Sequence, residues 1–200
     1  MIPPAVQKLS GLADRLEGGI APAIDKGRFF EAMSRIPAAV HIATTGGTAG
    51  LAGITATSVV SVTADPPTIL FCINKTSPLA ARLISNKVFC INTLTALHTS
   101  LADIFAGQTG HRLEERFAFA EWTTLVTGAP VLECAAVAFD CRLAEAKECK
   151  SHLVVFGVVA AVEYGKQNCN LTYAQRKYHV FDYGADNHPP RTLTFEAGCA

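Results

Sequence analysis

Two hundred residues, half of them hydrophobic and 17% charged, suit one domain with a substantial core and apolar surface left to bury against a second subunit. The formal net charge is zero and no basic cluster is interleaved with aromatics, which excludes an electrostatic case for nucleic acid or an anionic membrane. No apolar run reaches the roughly 18 residues that a membrane helix needs.

In chain order, Val6, Leu9, Leu12, Ala13 and Leu16 recur at helical spacing before Gly18-Gly19, so residues 1–24 are expected to form a helical extension outside the main fold. The start lacks the basic and apolar segments of a secretory signal. The domain proper is expected over 25–182. Asp25 is placed to cap a helix whose apolar face is Phe29, Phe30, Met33 and Ile36, stopped by Pro37. Ala38 to Thr45 predicts a strand, and Gly46 to Gly50 a hairpin turn. The next strand, Leu51 to Thr63, carries hydroxyls at Thr55, Thr57, Ser58, Ser61 and Thr63. A strand serving only a core would keep such groups on one alternating face, but the neighbours Thr57 and Ser58 point to opposite ones.

Asp65-Pro66-Pro67 ends that strand, and Thr68 to Ile73 is continuously apolar and expected to be buried. Thr76 or Ser77 caps a short helix with Pro78 in its first turn, and Lys75 beside that helix start suits an anion. Val88 to Leu94 predicts a third apolar strand. Thr95 caps a helix through Leu97, Leu101, Ile104 and Phe105, closed by Gly107. Gln108 to Glu121 carries a charge run expected on a solvated helix face. Long strands are predicted over Val131–Leu143 and His152–Tyr164, separated by a turn at Lys147–Lys150, with Gly157 a bulge or point of close approach. Leu171 to Phe181 carries Arg176, Tyr178 and His179, and residues 183–200 lack periodicity and are expected to form a tail. Strands in succession with only short helices inserted favour an antiparallel barrel, mainly β, over a doubly wound sheet.

Seven cysteines fall at 72, 90, 134, 141, 149, 169 and 199, with no Cys-x-x-Cys and several inside apolar strands. They read as reduced thiols in a cytoplasmic protein. Cys149 and His152 lack a second ligand pair, so no metal is expected. No Gly-x-Gly-x-x-Gly follows a strand and no Gly-x-Ser-x-Gly elbow occurs, which disfavours a Rossmann site and a serine hydrolase.

The run GITATSVVSVTADPPTILFCINKTSPL from Gly53 to Leu79, with Phe89-Cys90-Ile91-Asn92-Thr93-Leu94, Phe105-Ala106-Gly107, Arg116-Phe117 and His152 ahead of Phe156-Gly157, resembles the flavin reductase-like proteins with an FMN-binding split barrel. These are the small partners of two-component flavin monooxygenases. The subgroup serving pyrimidine-ring or aromatic hydroxylation is the most similar, and the likeness covers about residues 28–182. The resemblance implies an antiparallel split β-barrel, a homodimer and an NADH- or NADPH-dependent reductase that passes hydride to FMN (or FAD) for an oxygenase partner.

By the same resemblance Thr55, Ala56, Thr57, Ser58, Cys72, Ile73, Asn74 and Ser77 line the flavin. His152 stands where nicotinamide approaches, with Ser151 in place of the family's Asp, and Arg176 and Tyr178 match a segment associated with pyridine nucleotide. Hydride transfer needs no base at the nicotinamide carbon, so His152 is expected to orient or screen charge. Alternatives are a reductase of a corrinoid or other bound acceptor, and a flavin-binding electron carrier without nicotinamide turnover.

Overall fold

The computed structural model describes residues 6–8, 24–166 and 169–182. Where periodicity predicts a helix, Val6–Lys8 form instead a short strand, β1, paired in parallel with Ala146 to Glu148. The rest of the leading extension and residues 183–200 lie outside the described residues.

Helix α1 (Lys26–Ser34) starts as predicted: Asp25 is extended and its carboxylate accepts the Arg28 N–H at 2.9 Å. Its apolar side chains, however, pack on no core. Phe29, Phe30, Met33 and Ile36 remain 49–56% exposed. After β2 (Ala38–Ala39), β3 (His41–Thr45) and β4 (Ala52–Ala56) make the predicted hairpin, with Thr45 opposite Ala52 and His41 opposite Ala56.

The long hydroxyl-bearing strand is interrupted. It resumes only as β5 (Val60–Ala64), which folds back through Asp65-Pro66 onto β6 (Pro67–Asn74). Thr57 to Val59 take part in neither ladder, which accounts for polar groups on both sides of one apparent strand. β6 is not wholly buried either: Ile69, Phe71 and Ile73 face the core, while Leu70 and Cys72 are half-buried on the other face. The alternation of a strand overrides an unbroken apolar sequence.

Ser77 caps α2 (Pro78–Asn86), with Pro78 at its first position. β7 (Val88–Thr93) follows, then a 3-10 turn over Ala96–His98 and α3 (Thr99–Phe105). The expected solvated helix over 108–121 is instead a 3-10 segment, Glu115–Phe119, with Arg116 turned in to donate to the carbonyls of Phe105 and His111. The strand predicted over 131–143 divides. Pro130–Leu132 form β9, paired with β8 (Trp122–Thr124), and β10 (Val137–Cys149) begins only after a turn holding Cys134 at φ +60°. β10 runs through the turn expected at Lys147, reversing at Lys150-Ser151 into β11 (His152–Tyr164).

The main sheet has the order β4-β3-β7-β10-β11-β6-β5, antiparallel throughout this path, with β1 on β10. Its two edge strands are consecutive in sequence, so the sheet curls on itself without a continuous backbone ladder. Inside lie Phe71, Phe89, Ile91, Leu153 and Val155, with α2 adding Leu79 and Leu83. Gly157 is the predicted point of close approach, because a Cβ there would meet Phe89 Cζ at 2.2 Å. A second core lies where α3 packs on Val40 and Ile42. Gly53 admits the ring of Phe105, which meets Phe117 edge-to-face and Trp122 at a tilt. β12 (Cys169–Ala174) and β13 (Lys177–Asp182) form a hairpin that joins β2 in a small sheet. The described residues are thus mainly β, as expected, with three short α-helices among them.

Candidate active site

Ser58 fixes the place where the curled sheet nearly meets itself. Its hydroxyl donates to the Cys72 carbonyl at 3.1 Å and accepts the Cys72 N–H at 3.0 Å, so one side chain satisfies both main-chain groups of a β6 residue. Although β4 and β6 share no ladder, Ser58, just past the end of β4, is thereby set beside Cys72 of β6. Across β6, Asn74 is opposite His152, and His152 is opposite Cys149. The sequence-predicted residues Ala56, Thr57, Ser58, Cys72, Ile73, Asn74, Ser77 and His152 therefore fall on the end of β4 and the segment after it, on β6, on the start of β11 and at the α2 start.

Their chemistry divides into groups already engaged and groups left available. Thr55 Oγ1 donates to the Ala102 carbonyl of α3 at 2.6 Å, and Ser58 is held as described, so neither hydroxyl has a proton left to donate to a ligand. Thr57 is exposed. Ile73 is buried, so its contribution to such a site can be only main chain. Burial and the nearby Cys149 push the Cys72 thiol up, which favours its protonated form.

Asn74 Oδ1 accepts from Thr76 N–H and Oγ1, both at 2.9 Å, which leaves its amide nitrogen to face outward. Ser77 Oγ accepts the Leu79 N–H at 3.3 Å, and its own proton remains to donate. Lys75, which suits an anion or a solvated position equally well by sequence, pairs with Glu148. The exposed His152 ring has Nδ1 at 2.9 Å from Ser151 Oγ, so Ser151 orients the ring.

The donors left available suit a planar, phosphorylated ligand such as FMN. A planar ring can lie along the unladdered Thr57–Val59 segment, and a phosphate can take the Ser77 hydroxyl and the Asn74 amide at the start of a helix. Arg176 and Tyr178 lie on the small sheet instead. Arg176 forms the β12–β13 turn and reaches Glu31 of α1 at 3.5 Å. The half-buried Tyr178 faces Asp103 of α3, and burial together with that carboxylate raises its pKa to about 12. The link back to β4 is α3, which receives Thr55 at Ala102 and faces Tyr178 at Asp103.

Two features escaped the sequence. His41 is buried opposite Ala56, with Nδ1 3.1 Å from Thr93 Oγ1, and burial lowers its pKa to about 4. Glu31 and Arg35 show helical i, i+4 spacing, but their meeting with Arg176, 145 residues away from Glu31, leaves no local signal. A separate cleft of about 540 Å³, with Leu132, Cys134, Glu163 and Tyr164 among its walls, contains none of the predicted residues. No cluster of metal-ligating side chains occurs among the described residues, and no helix among them is long and apolar enough to cross a membrane.

The model of the flavin reductase like domain matches residues 33–182. FMN reductase (NADH) RutF of Ancylobacter novellus is 46% identical over 160 residues, spanning 80% of this chain and 87% of that protein. A flavin reductase of Haemophilus somnus superposes with a TM-score of 0.76 at 39% identity, covering 79% of this chain and 100% of the other. BorF, the flavin reductase component of a bacterial two-component tryptophan halogenase, does so at 0.73 and 25% identity, covering 79% and 99%. With three quarters of its length matched in this way, the chain belongs to the flavin reductase-like family.

Proposed function

We propose that the protein is an NADH-dependent flavin reductase that supplies reduced FMN to a monooxygenase partner. The observation that carries this reading is the near full-length match to a relative named FMN reductase (NADH), together with a donor set that suits a flavin phosphate. FMN, when bound, supplies the hydride acceptor. The chain's task is positional: Ser58 fixes the edge along which the ring lies, and the Asn74 amide and Ser77 hydroxyl hold the phosphate. His152, oriented by Ser151, sets the nicotinamide in register, and no residue need take a proton from its reacting carbon. Arg176 and Tyr178 serve the remote end of the nucleotide.

A second copy of the chain covers the exposed side chains of α1, and the reduced thiols suit a cytoplasmic setting. The test is anaerobic addition of NADH to purified protein with FMN, read by the visible spectrum. Bleaching of FMN in excess over protein is expected. Bleaching limited to one bound flavin would make the protein a carrier, and a monomeric mass at micromolar concentration in the same preparation would remove the dimer.

A further inference from the structure

Helix α1 and the β12–β13 turn enclose a polar cleft of about 440 Å³ lined by Glu31, Ser34, Arg35, Gln175 and Arg176. Arg35 directs Nε and Nη2 to Glu31 Oε1 at 3.3 and 3.2 Å, and Arg176 Nη2 reaches Oε2 at 3.5 Å. One carboxylate thus stands between two guanidiniums, with one positive charge in excess. All three side chains are more than half exposed, at 52–70%, so these pairings are weak and readily exchanged for a ligand.

The turn is built to present them. Gln175 and Arg176 have φ of +50° and +60°, the left-handed conformation that a two-residue hairpin usually fills with Asn-Gly. Side chains held at such a conformational cost gather where a ligand must be met. The Gln175 N–H donates to the Ser34 carbonyl at 2.5 Å and fixes the turn against α1. The cleft also connects to the flavin strand through Tyr178, two residues from Arg176, then Asp103 and Ala102 of α3, and Thr55.

We propose that Glu31, set between Arg35 and Arg176, reads the adenosine ribose of the nicotinamide nucleotide and selects a 2′-hydroxyl over a 2′-phosphate. This rests on the reading above that Arg176 serves the nucleotide. A 2′-hydroxyl can donate to the Glu31 carboxylate, whereas a 2′-phosphate brings like charge against it. With the Glu31 charge removed, two released guanidiniums become a clamp suited to that phosphate.

The experiment titrates 2′,5′-ADP, 5′-AMP and inorganic phosphate into the full-length protein and its variants by calorimetry, beside kcat/KM for NADPH and NADH. Glu31→Gln should tighten 2′,5′-ADP roughly tenfold and raise the NADPH-to-NADH ratio of kcat/KM by a similar factor, the scale of one near-surface charge contact. Binding of 5′-AMP should change less than about twofold, and Arg35→Ala added to Glu31→Gln should remove the gain. If Arg176→Ala weakens both nucleotides while Glu31→Gln moves them equally or not at all, the ribose role is overturned and the reductase reading stands. An equal gain for inorganic phosphate overturns it as well, by showing a general anion site. If Arg176→Ala leaves both nucleotides unaffected, the inference falls together with the placement of Arg176.

Discussion

Asn92 and Asn74 carry the same side chain near the ends of β7 and β6, strands separated in the sheet by β10 and β11, and the fold uses them in opposite ways. Asn92 is fully buried: its amide nitrogen donates to the Ile42 carbonyl at 3.1 Å and to Thr44 Oγ1 at 3.3 Å, and its oxygen accepts the Leu132 N–H at 2.7 Å. Nearby, the buried Asp140 accepts the Thr127 N–H at 2.8 Å and the Thr127 hydroxyl. These groups clamp the β8–β9 hairpin to the sheet, and every valence is spent inside the protein. Asn74 is exposed and spends only its oxygen, on Thr76. Polar groups in a dry interior must be satisfied by their neighbours, while those at a rim can be half satisfied and left ready for a ligand.

The contrast is broken most severely from the interior side. Asn92→Ala strands the Leu132 N–H and two acceptors, and should cost on the order of 3 kcal/mol of stability. Urea unfolding checks the loss, and the flavin dissociation constant of the folded fraction should stay unchanged. A weaker flavin grip at full stability would mean that the clamp belongs to the site.

Acid sharpens the same contrast through His41. The fold keeps its ring neutral, with the pKa lowered from 6.5 to about 4 by burial, so on acidification the unfolded chain takes the proton first. The contribution is whole above about pH 6.5 and is lost as pH falls towards 4, by on the order of 3 kcal/mol at the lower end. Unfolding free energies at pH 7 and 4.5 should differ more in the native chain than in His41→Gln. Equal slopes would place the acid sensitivity elsewhere.

The smallest effect on stability belongs to the rim. His152→Ala should change unfolding by less than about 0.5 kcal/mol, as exposed positions do. It should lower kcat/KM for NADH by up to roughly 10²-fold through lost register, with flavin affinity nearly intact. Lost flavin with normal NADH kinetics would move His152 into the flavin shell.

The sequence carried the hairpin at Gly46–Gly50, the stop at Asp65-Pro66-Pro67, the Ser77 cap with Pro78, and the long His152–Tyr164 strand, because each depends on residues adjacent in the chain. It also named the adjoining residues of the β6 and β11 rim, though through a family likeness rather than through spacing. It could not tell Thr57 from Thr55 and Ser58. All three are hydroxyls in one run, and only the arrival of α3 and β6 decides that two of them are consumed. The partner of Lys75 was hidden for the same reason, since Glu148 meets it from a strand 73 residues away. The break before β10 was hidden because Val131 to Leu143 alternates well enough for one strand, and nothing local marks the left-handed residue at Cys134 as the division.

The double hydrogen bond of Ser58 places the junction of the barrel under the control of a single codon. Rungs between main chains are indifferent to substitution, because every residue but proline carries the same donor and acceptor. At Cys72 the rung is a hydroxyl, so a point mutation there edits the closure of the sheet rather than the packing within it. A lineage could widen or narrow the slot beside this strand by changing residue 58 alone, leaving the rest of the scaffold intact.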